Sequence, residues 1–540
     1  AKGWETMYTV GMRGDGDEAM EDKASVALME QIVSEQRALL EQVTGRPAAE
    51  VPQVWALYKE VQDFYDQGMK VPDDVILLLC DDNWGNIRRL PALGTAHQRS
   101  GGFGMYYHVD YVGGPRNSKW INVSPIPRLW EQMNLTYQYG VDAMWILNVG
   151  DLKPMEYPIT FFLDMAWNPD RFNAQNVNEH SVEFCRSIFG DEFAEEAARQ
   201  LRLYAKFNRR VTPELLSMRT YSVANYDEWA RVDGEYNALA ADTDALGARL
   251  PAELQDAWFQ LLGYPIKAMA NLYDMYYAQA MNQRLAKKND PMANAWADRV
   301  EECFRKDADY VIRYHLMNGG KLNHMMDEQY IGYKSWQAPE KKVMPEVKRV
   351  DGTAPHAIEL PKAEYIKYNA PKGAPVFVAK DGYVSIEAGH FTRKTDGAAA
   401  AWTVIPELGR TLSGITPQPV TAPVDGMALE YDMEIPSEAT ARVTLRFCPT
   451  LNFAGKGLRY AISFDGGEEQ IVDINGDYNG ETGNAWHREH AIETQTIHQL
   501  SAGKHTLKIR VLDNALVLQK IIVNLGGLHK CYLGPDETLK

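Results

Sequence analysis

The first 150 residues carry five short apolar runs, each followed by a polar, ionisable cluster, with helix-like or loop sequence between them. Tyr8–Met12 leads into Arg13-Gly14-Asp15-Gly16-Asp17, Val54–Tyr58 into Lys59-Glu60, and Val75–Cys80 into Asp81-Asp82-Asn83-Trp84. Met105–Val109 leads into Asp110-Tyr111, and Ala143–Leu147 into Asn148-Val149-Gly150-Asp151. Buried parallel strands read as continuous apolar runs, and in β/α folds ligands bind beyond the carboxyl ends of the strands. The five clusters are expected to face one site. Between the runs, Asp22–Val43 sets Val26, Leu28, Met29, Ile32, Val33, Leu39 and Leu40 at helical spacing, and Pro127–Tyr139 and Pro154–Ala166 are further helix candidates.

The pattern then changes twice. Beyond Asn168 the strand signal disappears, and helices are expected at Phe193–Phe207, Pro213–Ser217, Asp227–Ala240, Glu253–Ala286 and Met292–Tyr314. Thr212-Pro213-Glu214 has the form of a helix start: a capping hydroxyl, Pro in the first turn and an acid at the positive end of the dipole. A Pro- and Lys-rich linker follows, and after it the apolar period becomes two: Leu429, Tyr431, Met433 and Ile435; Val443, Leu445 and Phe447; Leu507, Ile509 and Val511. Asp465-Gly466-Gly467 is a hairpin signal. The expected order is a β/α part (1–168), a helical bundle (169–336), a linker (337–357) and an antiparallel β-sandwich (358–540). Five β/α units are too few for a (β/α)8, TIM-type barrel, so either the sheet is open or the barrel is incomplete with earlier strands upstream of Ala1, and the second is the favoured expectation.

Composition narrows the function. The formal net charge of −17 argues against nucleic acid as a partner, which calls for clustered Lys and Arg. No apolar run is long enough to span a membrane. The five cysteines lie far apart without a C-x-x-C pair, so neither zinc nor a dense disulfide framework is expected. Asp473–Asp477 begins like a calcium loop but lacks its Gly and closing Glu, and His487–His490 sits in β-rich sequence; no metal site is expected at either. No H-E-x-x-H, P-loop or G-x-S-x-G pattern occurs, which leaves Ser/His/Asp catalysis without a foothold.

Leu79–Pro91 (LCDDNWGNIRRLP), Gly102–Pro115 (GFGMYYHVDYVGGP) and Trp145–Pro154 (WILNVGDLKP) together resemble glycoside hydrolase family 115, the xylan α-1,2-glucuronidases. The resemblance runs over nearly the whole chain and implies a C-terminal portion of such an enzyme, without the N-terminal α/β domain and first barrel strands. It implies inverting removal of glucuronic acid, or its 4-O-methyl ether, from glucuronoxylan or its oligosaccharides, with no metal or organic cofactor. It further implies a secreted or periplasmic bacterial location, although no signal peptide is visible, and a homodimer. Residue by residue, Arg13, Asp17, Glu60, Asp81, Asn83, Tyr111 and Asn148 match active-site positions of the family.

The residue chemistry fits that implication. Inversion needs one protonated carboxyl and one carboxylate, about 6.5–9.5 Å apart, with water between. The strand-end acids are Asp15, Asp17, Glu60, Asp81, Asp82, Asp110 and Asp151. Glu60 follows an apolar run, so desolvation is expected to raise its pKa and make it the general acid, with Asp17 as partner and Asp81 as rival base. The reverse assignment of Glu60 and Asp17 stays open. Arg13 offers a planar fork for the uronate carboxylate. Asn83, Asn148 and Tyr111 offer hydrogen bonds to hydroxyls. Trp84 and Trp120 are stacking candidates, with packing beneath a loop as the alternative, and strand-end Asp15 and Asp82 have a capping role as theirs. The competing function is a non-catalytic glycan-binding or structural fragment.

Overall fold

In the computed structural model, which describes residues 5–14, 19–20, 25–363, 373–476, 486 and 489–540, the five apolar runs become five strands. They are β1 (Tyr8–Thr9), β2 (Gln53–Leu57), β3 (Ile76–Cys80), β4 (Phe103–His108) and β5 (Met144–Asn148). They form one sheet in sequence order, parallel at every pairing, so all five carboxyl ends share one edge. This half-barrel sheet is connected by α1 (Val26–Thr44), α2 (Glu60–Asp66) and α3 (Ile126–Gln138), and α4 (Glu156–Trp167) follows β5. Its interior holds Trp55, Leu57, Leu77, Leu79 and Met105, all nearly inaccessible. The two edge strands are the exceptions: no residue of β1 or β5 is fully buried, because among the described residues each has a single neighbouring strand.

The helical region comprises α5 (Glu179–Phe189), α6 (Asp191–Arg210), α7 (Glu228–Arg249), α8 (Gln255–Trp258), α9 (Tyr264–Ala286) and α10 (Met292–Gly320), the last broken at Met317–Gly319. Two sequence expectations need correction. Glu253–Ala286 is not one helix: a 3-10 turn, α8 and a π turn at Phe259–Gly263 precede α9. Pro265, in the first turn of α9, has no N–H with which to continue a regular ladder backward. The helix expected at Pro213–Ser217 is a single 3-10 turn, and the Thr212 hydroxyl does not cap it. The Glu214 carboxylate instead accepts the backbone amides of Lys119 and Trp120.

The C-terminal strands are β6 (Val376–Val378), β7 (Tyr383–Glu387), β8 (Arg393–Thr395), β9 (Ala401–Ile405), β10 (Gly414–Gln418), β11 (Ala428–Ile435), β12 (Ala439–Phe447), β13 (Arg459–Phe464), β14 (Gln470–Asp473), β15 (Ile492–Leu500), β16 (Gly503–Val511) and β17 (Leu518–Asn524). They form two six-stranded sheets. The period-two apolar positions of β11 and β16 are all buried, as alternation across a half-solvated sheet requires. β13 and β14 pair as the expected hairpin, with Asp465 and Gly466 at positive φ in its turn. One pairing departs from an antiparallel sandwich: β6 lies parallel to β11. Alternation reports which face is buried and is silent on strand direction.

The three regions interlock. Leu90 N donates to Phe453 O at 2.9 Å, Arg202 pairs with Glu407 at 3.0 Å, and the buried Glu228 accepts the amides of Ser222, Tyr532 and Leu533. Among the described residues no helix is long and apolar enough to cross a membrane.

Candidate active site

The end of β3 fixes the geometry around it. Asp81 Oδ1 accepts from Asn83 N (2.9 Å) and faces His108 Nδ1 at 2.5 Å, while Oδ2 accepts from Gly85 N (3.0 Å) and His108 N (2.9 Å). Both oxygens are thereby occupied, and the residue is 1% exposed. Burial lowers the pKa of His108, but the Asp81 charge and hydrogen bond outweigh it and the net shift is upward. Asp82 Oδ1 accepts from Trp84 N and Asn86 N, closing the loop in an Asx-type turn. Gly85 is required there: its φ is +74°, and a Cβ would stand 2.6 Å from the Tyr107 hydroxyl. Asn83, at φ 77°, keeps its side-chain oxygen buried and without a partner.

At the end of β2, Glu60 opens α2 and is gripped by Arg13 from the end of β1 through Nε–Oε1 (3.1 Å) and Nη2–Oε2 (3.2 Å). Burial acts to raise the Glu60 pKa, but the Arg13 hydrogen bond, hydrogen bonds from backbone amides and the Arg13 charge together reverse it, and the net shift is downward. Arg13 also lies over the Tyr58 ring at 4.8 Å, with Lys59 Nζ at 4.9 Å from the same ring. Lys59 adopts φ 49°, a left-handed conformation that a long side chain rarely takes and that concentrates at functional sites.

Aromatic contacts join these groups to β4 and β5. His108 stands 6.3 Å from Tyr58, 4.7 Å from Tyr106 and 6.1 Å from Tyr111, ring centre to ring centre. Tyr111 meets Trp84 edge-on at 4.9 Å, and Asn148 Nδ2 donates to the Tyr106 hydroxyl at 3.0 Å. The wall after β4 is held by the segment following α10: Lys119 pairs with Glu328 at 3.0 Å and Asn117 Nδ2 donates to the Tyr333 hydroxyl at 3.3 Å. Under that wall Asp110 is buried with Oδ2 unpartnered and Gly150 pressed against its carboxyl, and burial pushes its pKa up to about 6.

Arg13, Glu60, Asp81, Asn83, Trp84, Tyr111 and Asn148 are thus gathered at one edge of the sheet, while Asp15 and Asp17 fall outside the described residues. Three expectations change. Glu60 is held ionised, because Arg13 outweighs the desolvation that was expected to keep it protonated. Arg13 turns its fork onto Glu60. Trp120 is not at the site: it is 2% exposed, stacks on Tyr330 at 3.3 Å and donates to the Tyr264 hydroxyl. Sequence reasoning passed over His108 and named Lys59 only as part of the polar step after Val54–Tyr58. The signal for His108 was its place one strand over from Asp81 on an adjoining strand end.

Residues 1–215 match the sequence family described as Glycosyl hydrolase family 115, and residues 376–537 match that family's C-terminal domain. The chain belongs to glycoside hydrolase family 115. A solved structure described as a family GH115 4-O-methyl-α-glucuronidase, BtGH115A, with specificity for decorated arabinogalactans, is similar over 97% of this chain at a TM-score of 0.77 and 26% identity. This chain spans 65% of that structure's length. Two carbohydrate-binding modules, the C-terminal CBM6 of LamC from Zobellia galactanivorans and a family 35 module from Clostridium thermocellum, each cover 26% of this chain. They cover 98% and 97% of their own lengths, at TM-scores of 0.20 and 0.19 and identities of 14% and 18%, values too low to bear on its function. No curated protein matches the chain.

Proposed function

We propose that this family 115 chain carries the strand-end machinery of an α-glucuronidase that removes glucuronic acid, or its 4-O-methyl ether, from xylan by inverting hydrolysis. The carrying observation is the Arg13–Glu60 grip, which holds a carboxylate below its ordinary pKa beside a cluster of hydrogen-bonding aromatic and amide groups. In an inverting reaction that carboxylate takes a proton from water as it attacks the anomeric carbon, while a protonated carboxyl donates to the departing oxygen. Glu60 fits the base. Asp17, four residues beyond Arg13, is the proposed acid. Asp81, with both oxygens engaged, orients His108 and the Asn83 loop instead. With Arg13 committed to Glu60, Lys59 is the proposed partner for the uronate carboxylate.

Decorated arabinogalactan is the second reading of substrate, favoured by the description of the similar structure. The remaining barrel strands, a homodimer and an extracytoplasmic location are proposed on family resemblance. The test is release of (4-O-methyl)glucuronate from glucuronoxylan and from glucuronidated arabinogalactan, with the anomer followed by proton NMR. Release from xylan as the β-anomer, abolished in Glu60→Gln, is expected. Undiminished release by Glu60→Gln removes Glu60 from the chemistry, and polysaccharide binding without release supports a glycan-binding role.

A further inference from the structure

A pocket with about 20 Å³ open to a water-sized sphere lies behind the Asp81–Asn86 loop, where α3 and α6 meet the β domain. Five cationic side chains line it: Arg128, Lys206, Arg209, Arg210 and Arg410. Two have carboxylate partners, Arg128 with Glu131 at 2.5 Å and Arg210 with Glu235. The one carboxylate among the described lining residues, Glu407, is taken by Arg202.

The other three cations bond neutral carbonyls. Lys206 Nζ donates to Leu412 O at 2.6 Å, Arg209 Nη2 to Trp84 O at 3.1 Å, and Arg410 to Tyr532 O at 2.9 Å and to Glu489 O. Arg128 Nε is buried without an acceptor. Burial pushes Lys206 down to about 8, and the protein crowded around Arg209, with Arg128 close by, lowers it to about 10. Among the described residues the carboxylates that act on Lys206 and Arg209, Glu407 and Asp82 foremost, stand off without an ion-pair contact. A desolvated cation with no carboxylate in contact is unfavourable, and a guanidinium does not relieve the cost by losing its proton. The space suits one small ion or one or two waters, since one water needs roughly 10–15 Å³ measured this way.

We propose that this pocket binds a small monovalent inorganic anion of the size and charge of chloride. The anion offsets one of the positive charges that Lys206, Arg209 and Arg410 bring together and braces the loop that presents Asn83 and Trp84, because Arg209 holds Trp84 O and Arg128 holds the Asn86 side chain. The inference is independent of the glycosidase reading.

The test compares melting of the full chain in sodium chloride and in sodium gluconate at equal ionic strength, together with anomalous scattering from crystals grown in sodium bromide. Chloride is expected to raise Tm saturably, by about 2 °C or more, as a ligand of the folded state does. Bromide is expected between Lys206 and Arg209, and Arg209→Met is expected to lose the chloride-specific shift. Equal melting in the two salts overturns the proposal, as does bromide density confined to the surface. Where Arg209→Met fails to fold, the bromide map of the unsubstituted chain decides alone.

Discussion

Arg13 holds both carboxylate oxygens of Glu60, at 3.1 and 3.2 Å, across forty-seven residues of sequence. That grip keeps Glu60 ionised against the pull of burial. In Arg13→Met most of the opposition is lost, the Glu60 pKa rises, and the proposed base is protonated at pH values where it is now ionised. The acidic limb of the kcat/KM profile is expected to move to higher pH by about one unit or more, a differential interaction of about 1.4 kcal/mol per unit. An unchanged limb would assign it to another group.

Lys59 sits at the end of β2 with its ammonium over Tyr58. Lys59→Met is expected to raise KM for uronate-bearing oligosaccharides about tenfold, the loss of one charge-assisted contact of about 1.5 kcal/mol, with kcat largely kept. A fall in kcat at constant KM would place Lys59 in the chemistry rather than in recognition.

The Asp81–His108 pair makes stability depend on pH. The folded pKa of His108 is raised above its ordinary 6.5, so the pair's contribution is complete below that value and is lost as pH rises through the raised one. Melting of the unsubstituted protein is therefore expected to fall as pH climbs above 6.5. Asp81→Asn should flatten this slope and cost about 3 kcal/mol at pH 6, as breaking a buried charged network does. Calorimetric scans of both proteins from pH 5 to 9 measure the two effects.

Asp110 acts in the same direction over a lower pH window. Its folded pKa of about 6 stands above the ordinary 3.8, so ionisation opposes folding as pH rises from 4 and the cost levels off above 7. Asp110→Asn removes a charge and keeps the shape. It is expected to stabilise at pH 8 by on the order of 3 kcal/mol and to be nearly neutral at pH 4. Stabilisation equal at both pH values would show that Asp110 is not the titrating group.

Trp120 separates packing from stacking. Trp120→Ala is expected to cost about 3–5 kcal/mol of stability through the cavity it leaves against Tyr330, while the folded fraction keeps its oligosaccharide affinity. Weaker binding by the folded fraction would return Trp120 to the site.

The half-barrel was legible because a strand buried on both faces has no polar residue until it ends, so Val75–Cys80 and the polar step at Asp81 mark strand and site at once. The sandwich was legible through alternation such as Leu429 to Ile435. Contacts made by sequence-distant partners were not. Nothing near Glu60 tells that Arg13 will turn inward, and nothing near Trp120 announces Tyr330. The break at Phe259–Gly263 was hidden because one widened turn leaves the apolar composition of the segment intact. Glu179–Phe189 was missed as a helix, although Gly190, at φ 79°, marks its end.

Lys119, Asn117 and Trp120 meet Glu328, Tyr333 and Tyr330 respectively, so the loop after β4, beside the proposed site, is propped by a stretch some two hundred positions downstream. Chimeras between family members must therefore draw the loop after β4 and residues 328–333 from the same parent. Grafting the sheet alone would import the donor's strand-end groups but leave the host's buttress beneath them, and with it a loop held in the wrong place.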